Sequence, residues 1–179
     1  ITLSAKRTKD LRLLHQAGFA ALRSKKYRAA ETYFFEVMQQ QEPDPQTLAY
    51  YGFSLENQKK WQEAEQTYLK LIQVFPAYPQ GYRALAWMFG VGLSQTVSHE
   101  QGINYAHRAL KLKNDTVSWE ILSACAARTG AFDKAYQIQL TLAKQDADTQ
   151  TRARRQQALR TLRKKMPLGN HHVLRSLVA

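Results

Sequence analysis

Small and apolar residues recur along this chain at the spacing of helix faces, and the arrangement repeats after 34 residues. Four positions carry a glycine, an alanine, an aromatic and an aliphatic residue, and the same classes return one period later: Gly18, Ala30, Phe34 and Val37, then Gly52, Ala64, Tyr68 and Leu71. Leu14 recurs in the same way as Leu48. Small residues on two successive helices let the backbones approach closely, while bulky neighbours fill the space around the contact. The pattern therefore predicts a series of packed helix pairs.

The second repeat carries the most complete set of these positions: Leu48, Gly52, Ala64, Tyr68 and Pro76. In these residues the chain resembles the tetratricopeptide-repeat (TPR) family, whose 34-residue unit has a bulky residue, two small ones, an aromatic one and often a proline at this spacing. An aromatic residue also precedes the small residue of the second helix in three repeats, as Tyr27, Trp61 and Phe132. The resemblance implies an all-α fold, a right-handed α-solenoid of antiparallel helix pairs (a TPR superhelix) with a C-terminal capping helix.

The period divides the chain into four repeats after a short basic N-terminal segment: 11–44, 45–78, 79–115 and 116–149. The third repeat aligns only if four residues are inserted around Gly90–His99, and it resembles the Sel1-like variant of the TPR. A basic capping helix is predicted over 150–166, ended by Pro167, with a tail over 167–179. The tail spaces its apolar residues for one helical face, and both folding back onto the solenoid and docking elsewhere fit this spacing: Val173, Leu174, Leu177 and Val178.

The composition is that of an ordinary folded chain, with 179 residues of which 44% are hydrophobic. No apolar run approaches the roughly 20 residues that cross a bilayer.

The net charge of +12 is divided unevenly, with +7 over 1–28, −3 over 29–149 and +8 over 150–179, so electrostatic attraction is expected at the two ends. Because the first residue is Ile1, an upstream segment is expected outside this sequence, and the compartment stays undetermined.

No residue pattern points to catalysis, a cofactor or a metal site. His99 and Glu100 begin like a zinc-protease helix motif, but its second histidine would stand where Ile103 stands. Gly90–Gly92 lacks the third glycine and the lysine of a phosphate loop and is interpreted as a turn. Cys125, the single cysteine, excludes an internal disulfide and is expected to be a buried thiol. The chain is therefore expected not to be an enzyme and to need no cofactor.

The resemblance places the candidate binding site on the first helix of each repeat, since TPR proteins usually hold partner peptides in the concave groove that these helices line. Phe19, Phe53 and Trp87 occupy the same position in three successive repeats and would form a ladder of apolar contacts. The candidate groove consists of Arg12, His15, Phe19, Arg23, Tyr50, Phe53, Arg83 and Trp87. These residues suit a protein or peptide with apolar anchors and some acidic character. The alternative interpretation is that the aromatics pack within the solenoid or lie under a terminal segment.

Some TPR cochaperones hold a C-terminal carboxylate with a polar clamp, which is missing here because the positions concerned are His15, Phe19, Tyr50, Gln80 and Ala84. The sequence therefore favours an adaptor, a scaffold or an assembly factor without that clamp.

The alternative function is binding of RNA, or of another nucleic acid or anionic lipid surface, through the basic ends. Its candidate patch is Arg152, Arg154, Arg155, Arg160, Arg163, Lys164 and Lys165. A solvated charged face of the capping helix would explain the same residues.

Overall fold

The computed structural model describes residues 3–145, 148–169 and 172, with side chains from residue 10 onward in these ranges. In this part of the chain all regular structure is helical, which confirms the predicted all-α class. The nine described helices are α1 (Leu3–Arg23), α2 (Tyr27–Gln40), α3 (Pro45–Asn57), α4 (Trp61–Val74), α5 (Pro79–Val91), α6 (His99–Leu112), α7 (Thr116–Arg128), α8 (Phe132–Ala143) and α9 (Thr149–Arg163). None of them is long and apolar enough to cross a membrane.

The chain forms two compact units. The N-terminal unit ends at Pro76 and contains α1 to α4, and the C-terminal unit begins at Ala77 and contains α5 to α9. Because α1 begins at Leu3, the basic N-terminal segment from that residue onward is helical and continuous with the first repeat.

Several helices begin at a polar residue whose side chain accepts hydrogen bonds from the first amide groups of the helix. Asp44 accepts from two backbone amides at the start of α3. Ser98 and Gln101 form a reciprocal capping box at the start of α6. Asp115 and Asp148 cap α7 and α9. These caps fix the residue at which each of these helices begins and, with it, the first residue of its apolar face.

Three connections between paired helices are three-residue turns with the same backbone conformation. The middle residue of each lies in the left-handed region: Lys25 (φ 56°), Lys59 (φ 63°) and Gly130 (φ 86°). The amide of the next residue donates to a carbonyl near the end of the preceding helix, as Lys26 does to Ala21. Such short turns place successive helices side by side in antiparallel directions.

The connection between α5 and α6 spans residues 92–98 and is four residues longer than these turns. It lies where the third repeat needs four inserted residues to align. Gly92, with φ of 80°, ends α5 in the left-handed conformation. The extra length is therefore confined to one connection and leaves the lengths of α5 and α6 unchanged.

A close contact between a helix glycine and an aromatic ring holds each helix pair of the N-terminal unit together. A Cβ atom at Gly18 of α1 would stand 2.9 Å from the ring of Phe34 in α2. At Gly52 of α3 the corresponding distance, to the ring of Tyr68 in α4, is 2.5 Å. Both rings are fully buried. These contacts confirm the role predicted for the small residues of the repeat.

In the C-terminal unit α5 is the most deeply buried helix, and it packs against α6 and α7. Its Gly90 approaches Ala124 of α7 so closely that an added Cβ would stand 2.9 Å from that side chain. Gly102 of α6 lies in the same way against the ring of Phe89. The glycines of the third repeat thus bring α5 close to two neighbouring helices.

The last helix, α9, packs against α8 and caps the helix pairs, as expected. It buries Arg155, Ala158 and Leu162. The expected end at 166 is corrected to Arg163. Lys165 has a φ of 53°, and the residue before Pro167 is disfavoured in a helical conformation, so the helix ends earlier. The apolar tail residues lie outside the described residues: Val173, Leu174, Leu177 and Val178.

Candidate functional site

Three candidate groove residues of the N-terminal unit belong to one connected group of rings on α1, α2 and α3. The ring centroids of Phe19 and Tyr50 are 5.5 Å apart, and those of His15 and Tyr50 are 6.1 Å apart. The buried ring of Phe34 lies 5.5 Å from His15 and 5.6 Å from Tyr50. These separations are typical of favourable edge and tilted ring contacts. The structure thus brings His15, Phe19 and Tyr50 together.

The rings differ in how much of each faces solvent. Tyr50 is 8% exposed, and its hydroxyl accepts a hydrogen bond from a side chain of its own helix. His15, Phe19 and Phe53 are half-buried. The ring of Phe53 contacts Tyr27 of α2, with 6.4 Å between the centroids. A partner would therefore meet the accessible parts of three rings beside a fixed, buried one.

Two arginines flank these rings along α1. Arg12, Phe19 and Arg23 follow the spacing of one helical stripe, and both guanidinium groups are on exposed side chains. Guanidinium groups bind carboxylates through paired hydrogen bonds. We call this group the aromatic face: His15, Phe19, Tyr50 and Phe53, with Arg12 and Arg23.

Arg83 and Trp87, the groove candidates of the third repeat, lie in the interior of the C-terminal unit. Arg83 is 8% exposed and Trp87 is 7% exposed. Arg83 Nη2 donates to Ser118 Oγ at 2.7 Å and to Asp115 Oδ1 at 2.5 Å. Burial acts to raise the pKa of Asp115, but hydrogen bonds from Arg83 and Ser118 outweigh it and lower that pKa overall. Arg83 therefore holds α5 against the start of α7, and neither residue presents an open surface to a partner.

Two arginines of the candidate basic patch are likewise engaged inside the C-terminal unit. Arg154 donates to both carboxylate oxygens of Glu120, at 3.0 Å each. Arg155, which is 1% exposed, donates to Glu120 at 2.9 Å and to Gln139 Oε1 at 2.9 Å. These side chains attach α9 to α7 and α8, so they are structural in this fold.

The other members of the patch are exposed: Arg152, Arg160, Arg163, Lys164 and Lys165. Arg163 lies over the ring of Tyr136 and donates to its hydroxyl at 2.8 Å. The structure therefore divides the predicted patch into an internal pair, the exposed Arg152 in the first turn of α9, and an exposed group of four near the end of α9.

Cys125 is a buried thiol, as expected from the sequence. It is fully buried in α7, and its Sγ donates to the carbonyl of Ala86 at 3.1 Å. Burial raises the pKa of Cys125 to about 12, which keeps the thiol protonated at neutral pH. Within the described part of the chain, no group of three or more His, Cys, Asp and Glu side chains could hold a metal ion.

Two surface features were not predicted from the sequence. One is a cavity of about 570 Å³ between α7 and α8, lined in part by Trp119 and Leu142. The other is a basic surface at the turns of the N-terminal unit, formed by Lys25–Lys26 and Lys59–Lys60. The sequence held a signal for the second feature, because the lysine pair recurs after one period of 34 residues.

No family model matches the sequence, and no curated protein matches it significantly. Residues 41 to the end of MamA from Desulfovibrio magneticus RS-1 match with a TM-score of 0.68 at 15% identity, over 87% of this chain and 84% of that chain. A double mutant of MamA from RS-1 matches with a TM-score of 0.62 at 14% identity, over 86% and 94% of the two chains.

A thermophilic TPR protein of Thermus thermophilus matches with a TM-score of 0.50 at 15% identity, over 83% of this chain and 98% of that chain. At such low identity these similarities show the fold alone. Together with the glycine and aromatic contacts of the helix pairs, they establish that this chain has a TPR-like fold.

Proposed function

We propose that this chain is a non-enzymatic protein-interaction module, acting as an adaptor, a scaffold or an assembly factor, and that its aromatic face binds a peptide. TPR-like folds generally serve protein interaction and are typically non-catalytic, which supports the general part. The observation that supports the aromatic face is the contact of His15, Phe19 and Tyr50 between two exposed arginines.

The chemistry of this face indicates the kind of peptide it would bind. Half-buried rings offer apolar area at little cost in side-chain entropy, because each ring is already held by its neighbours. Arg12 and Arg23 would pair with carboxylates on either side of an apolar anchor. The preferred partner is therefore a segment with one or two apolar residues and acidic neighbours.

The proposal is restricted to the N-terminal unit. Arg83 and Trp87 are left out because both are packed inside the C-terminal unit. For the third repeat we propose the Sel1-like variant, with the longer connection over 92–98 as the supporting feature.

Binding of RNA or an anionic membrane surface through the basic ends is the second candidate function. Among the described residues, the exposed group near the end of α9 supports this second function. Arg154 and Arg155 do not, because both form ion pairs with Glu120. Phosphate contacts release counterions, so such binding falls steeply with salt. A complex that weakens only slightly between about 50 and 200 mM salt would favour the aromatic face over the basic ends.

Selection of binders from a random peptide library displayed on phage tests the main proposal. We expect enriched peptides to combine aromatic or aliphatic anchors with acidic residues. Phe19→Ala with Phe53→Ala is expected to weaken their binding by about tenfold or more, because it removes the accessible apolar contacts. His15→Ala, on the same face, is expected to weaken peptide binding by a smaller factor.

The matched control is Leu140→Ala, which removes an exposed apolar side chain from α8. It should leave peptide binding unchanged. The thermal unfolding midpoint of each variant shows whether weaker binding comes from lost contacts with the peptide or from an unfolded protein. Full binding by a folded double variant would contradict the proposal.

A further inference from the structure

The turns of the N-terminal unit carry the same pair of lysines one repeat apart, Lys25–Lys26 and Lys59–Lys60. Lys25, Lys26 and Arg28 are exposed and line an open depression of about 590 Å³. Arg28 also lines a neighbouring pocket of about 360 Å³ together with Lys60. Because Arg28 lines both, the two depressions adjoin each other. We add Lys59, the exposed chain neighbour of Lys60, and call the following residues the basic turn surface: Lys25, Lys26, Arg28, Phe35, Tyr51, Lys59 and Lys60.

Two of these lysines occupy positions where the backbone favours glycine. Lys25 and Lys59 have φ angles of 56° and 63°, at which the Cβ atom of an L-residue is crowded. The equivalent turn of the C-terminal unit has Gly130 at this position, with φ of 86°. Glycine would serve folding better in all three turns. A cation at both strained positions therefore points to a role for the side chains at the surface.

The smaller pocket has two aromatic rings in its lining. Phe35 and Tyr51 lie with their centroids 6.4 Å apart and their planes tilted by 33°. Phe35 is 49% exposed, which is unusual for so large an apolar ring. Glu31 holds Lys60 at this pocket through a contact of 2.7 Å between Nζ and Oε1. The pocket thus combines apolar ring surface with two cations: Arg28, and Lys60 held by Glu31.

The charges around the pocket indicate the class of partner. The exposed cations of the turns attract an anionic chain. Two carboxylates also lie close by, because after burial the charges of Glu31 and Glu63 are what raise the pKa of Tyr51. A nucleic acid carries a charge on every nucleotide and would place phosphates against these carboxylates. A peptide can place its acidic residues at the lysines and an apolar residue beside the glutamates.

We propose that the basic turn surface is a second docking site and that it binds an acidic peptide segment with one apolar anchor residue. The anchor lies against Phe35 and Tyr51. The acidic residues lie against Lys25, Lys26 and Lys59, since Lys60 is already paired with Glu31. No residue of this surface belongs to the aromatic face. The proposal of a second docking site can therefore be wrong while the proposed function of the aromatic face is right, and the reverse also holds.

Fluorescence anisotropy with a labelled peptide of about 12 residues, composed of glutamate and serine with one central phenylalanine, tests this site. Because the same peptide also suits the aromatic face, the measurements use a protein in which Phe19→Ala and Phe53→Ala have removed the accessible phenylalanine rings of that face. We expect this peptide to bind about tenfold more tightly than the same peptide with a central alanine, because its ring is buried against the pocket. Phe35→Ala should remove the difference between the two peptides. Since Phe35 is exposed, this variant should still fold.

Lys25→Gly with Lys59→Gly is expected to weaken binding of the phenylalanine peptide by about threefold to tenfold, because two cations are lost. Its thermal midpoint should stay equal or rise, so the loss cannot come from unfolding. Lys111→Ala is the control, because Lys111 is an exposed cation of α6 in the C-terminal unit and belongs to neither candidate basic surface. It should leave peptide binding unchanged.

Three results would each overturn the proposal. The first is equal binding of the phenylalanine and alanine peptides by the protein that lacks the Phe19 and Phe53 rings. The second is unchanged binding by the double glycine variant. The third is tighter binding of an oligouridylate of about 12 nucleotides than of the phenylalanine peptide, which would assign the surface to nucleic acid.

Discussion

Glu120 of α7 accepts a hydrogen bond from Arg155 of α9 at 2.9 Å in the interior of the C-terminal unit. Arg154 binds the same carboxylate through two nitrogens, each at 3.0 Å. One buried carboxylate is therefore shared by two guanidinium groups and fixes the capping helix to the first helix of the fourth repeat. The cap depends on this charge pairing as well as on its apolar stripe.

Glu120→Gln is expected to lower the free energy of unfolding by about 3–5 kcal/mol. The amide leaves two largely buried guanidinium groups without an anion, and a buried charge without its partner is strongly destabilising. Urea denaturation followed by circular dichroism measures the change. Glu100→Gln, on the exposed surface of α6, is the control and should stay within about 0.5 kcal/mol of wild type. A similar small effect at Glu120 would show that the ion pairs do not stabilise the cap.

Gly52→Ala is expected to destabilise the N-terminal unit by about 1–2 kcal/mol. The new Cβ atom would stand 2.5 Å from the Tyr68 ring, so the ring or the helix must move, and this outweighs the better helix propensity of alanine. Gly18→Ala, with 2.9 Å to Phe34, should cost less. Thermal unfolding of both variants checks the order. A higher midpoint for Gly52→Ala than for wild type would contradict the close helix contact.

The helix pairs could be predicted from the sequence because the contacts that hold each pair lie within one period. Gly18 meets Phe34, and Gly52 meets Tyr68, between the two helices of a single repeat. The same residue classes recur at the same spacing, so the pattern alone identifies both partners. The longer connection after α5 was predictable for the same reason, since it interrupts the period.

The surface was less predictable, because the exposure of a first helix depends on the helix that packs against it from the next repeat. Arg83 reaches Ser118, which is 35 residues further along the chain, and Arg155 reaches Glu120 over the same separation. From the sequence alone, an arginine at a groove or cap position does not show whether a residue of the same chain will pair with it. A clue was the carboxylate of Glu120 in α7, whose other buried residues are small or apolar, since a buried acid requires a cation.

The left-handed lysines were not predictable either, because lysine, unlike Gly130, carries no sequence signal for a positive φ. Their conformation yields a stability test. Lys25→Gly and Lys59→Gly should each raise the free energy of unfolding by about 0.5–1 kcal/mol. Lys26→Gly is the control, because the φ of Lys26 is −85° and glycine there brings only added entropy in the unfolded chain. Equal effects of glycine at positions 25 and 26 would contradict the assigned turn conformation.

Cys125 makes the stability of the protein depend on pH in the alkaline range. Burial raises the pKa of its thiol from an ordinary value of 9.0 to about 12 in the folded chain. As the pH rises above about 9, the unfolded chain loses this proton first, so deprotonation favours unfolding. The contribution of Cys125 to stability should fall by about 1 kcal/mol between pH 8 and pH 10 and continue to fall toward pH 12.

The comparison with Cys125→Ala isolates this effect, since the titration of lysines and tyrosines is common to both proteins. Urea denaturation at pH 8 and pH 10 should show wild type losing about 1 kcal/mol more than the variant. A thiol reagent at pH 8 should react with Cys125 in urea and hardly at all in the native protein, because the thiol is fully buried. Parallel pH dependence of the two proteins, or rapid reaction of the native thiol, would mean that Cys125 is accessible and titrates near its ordinary pKa.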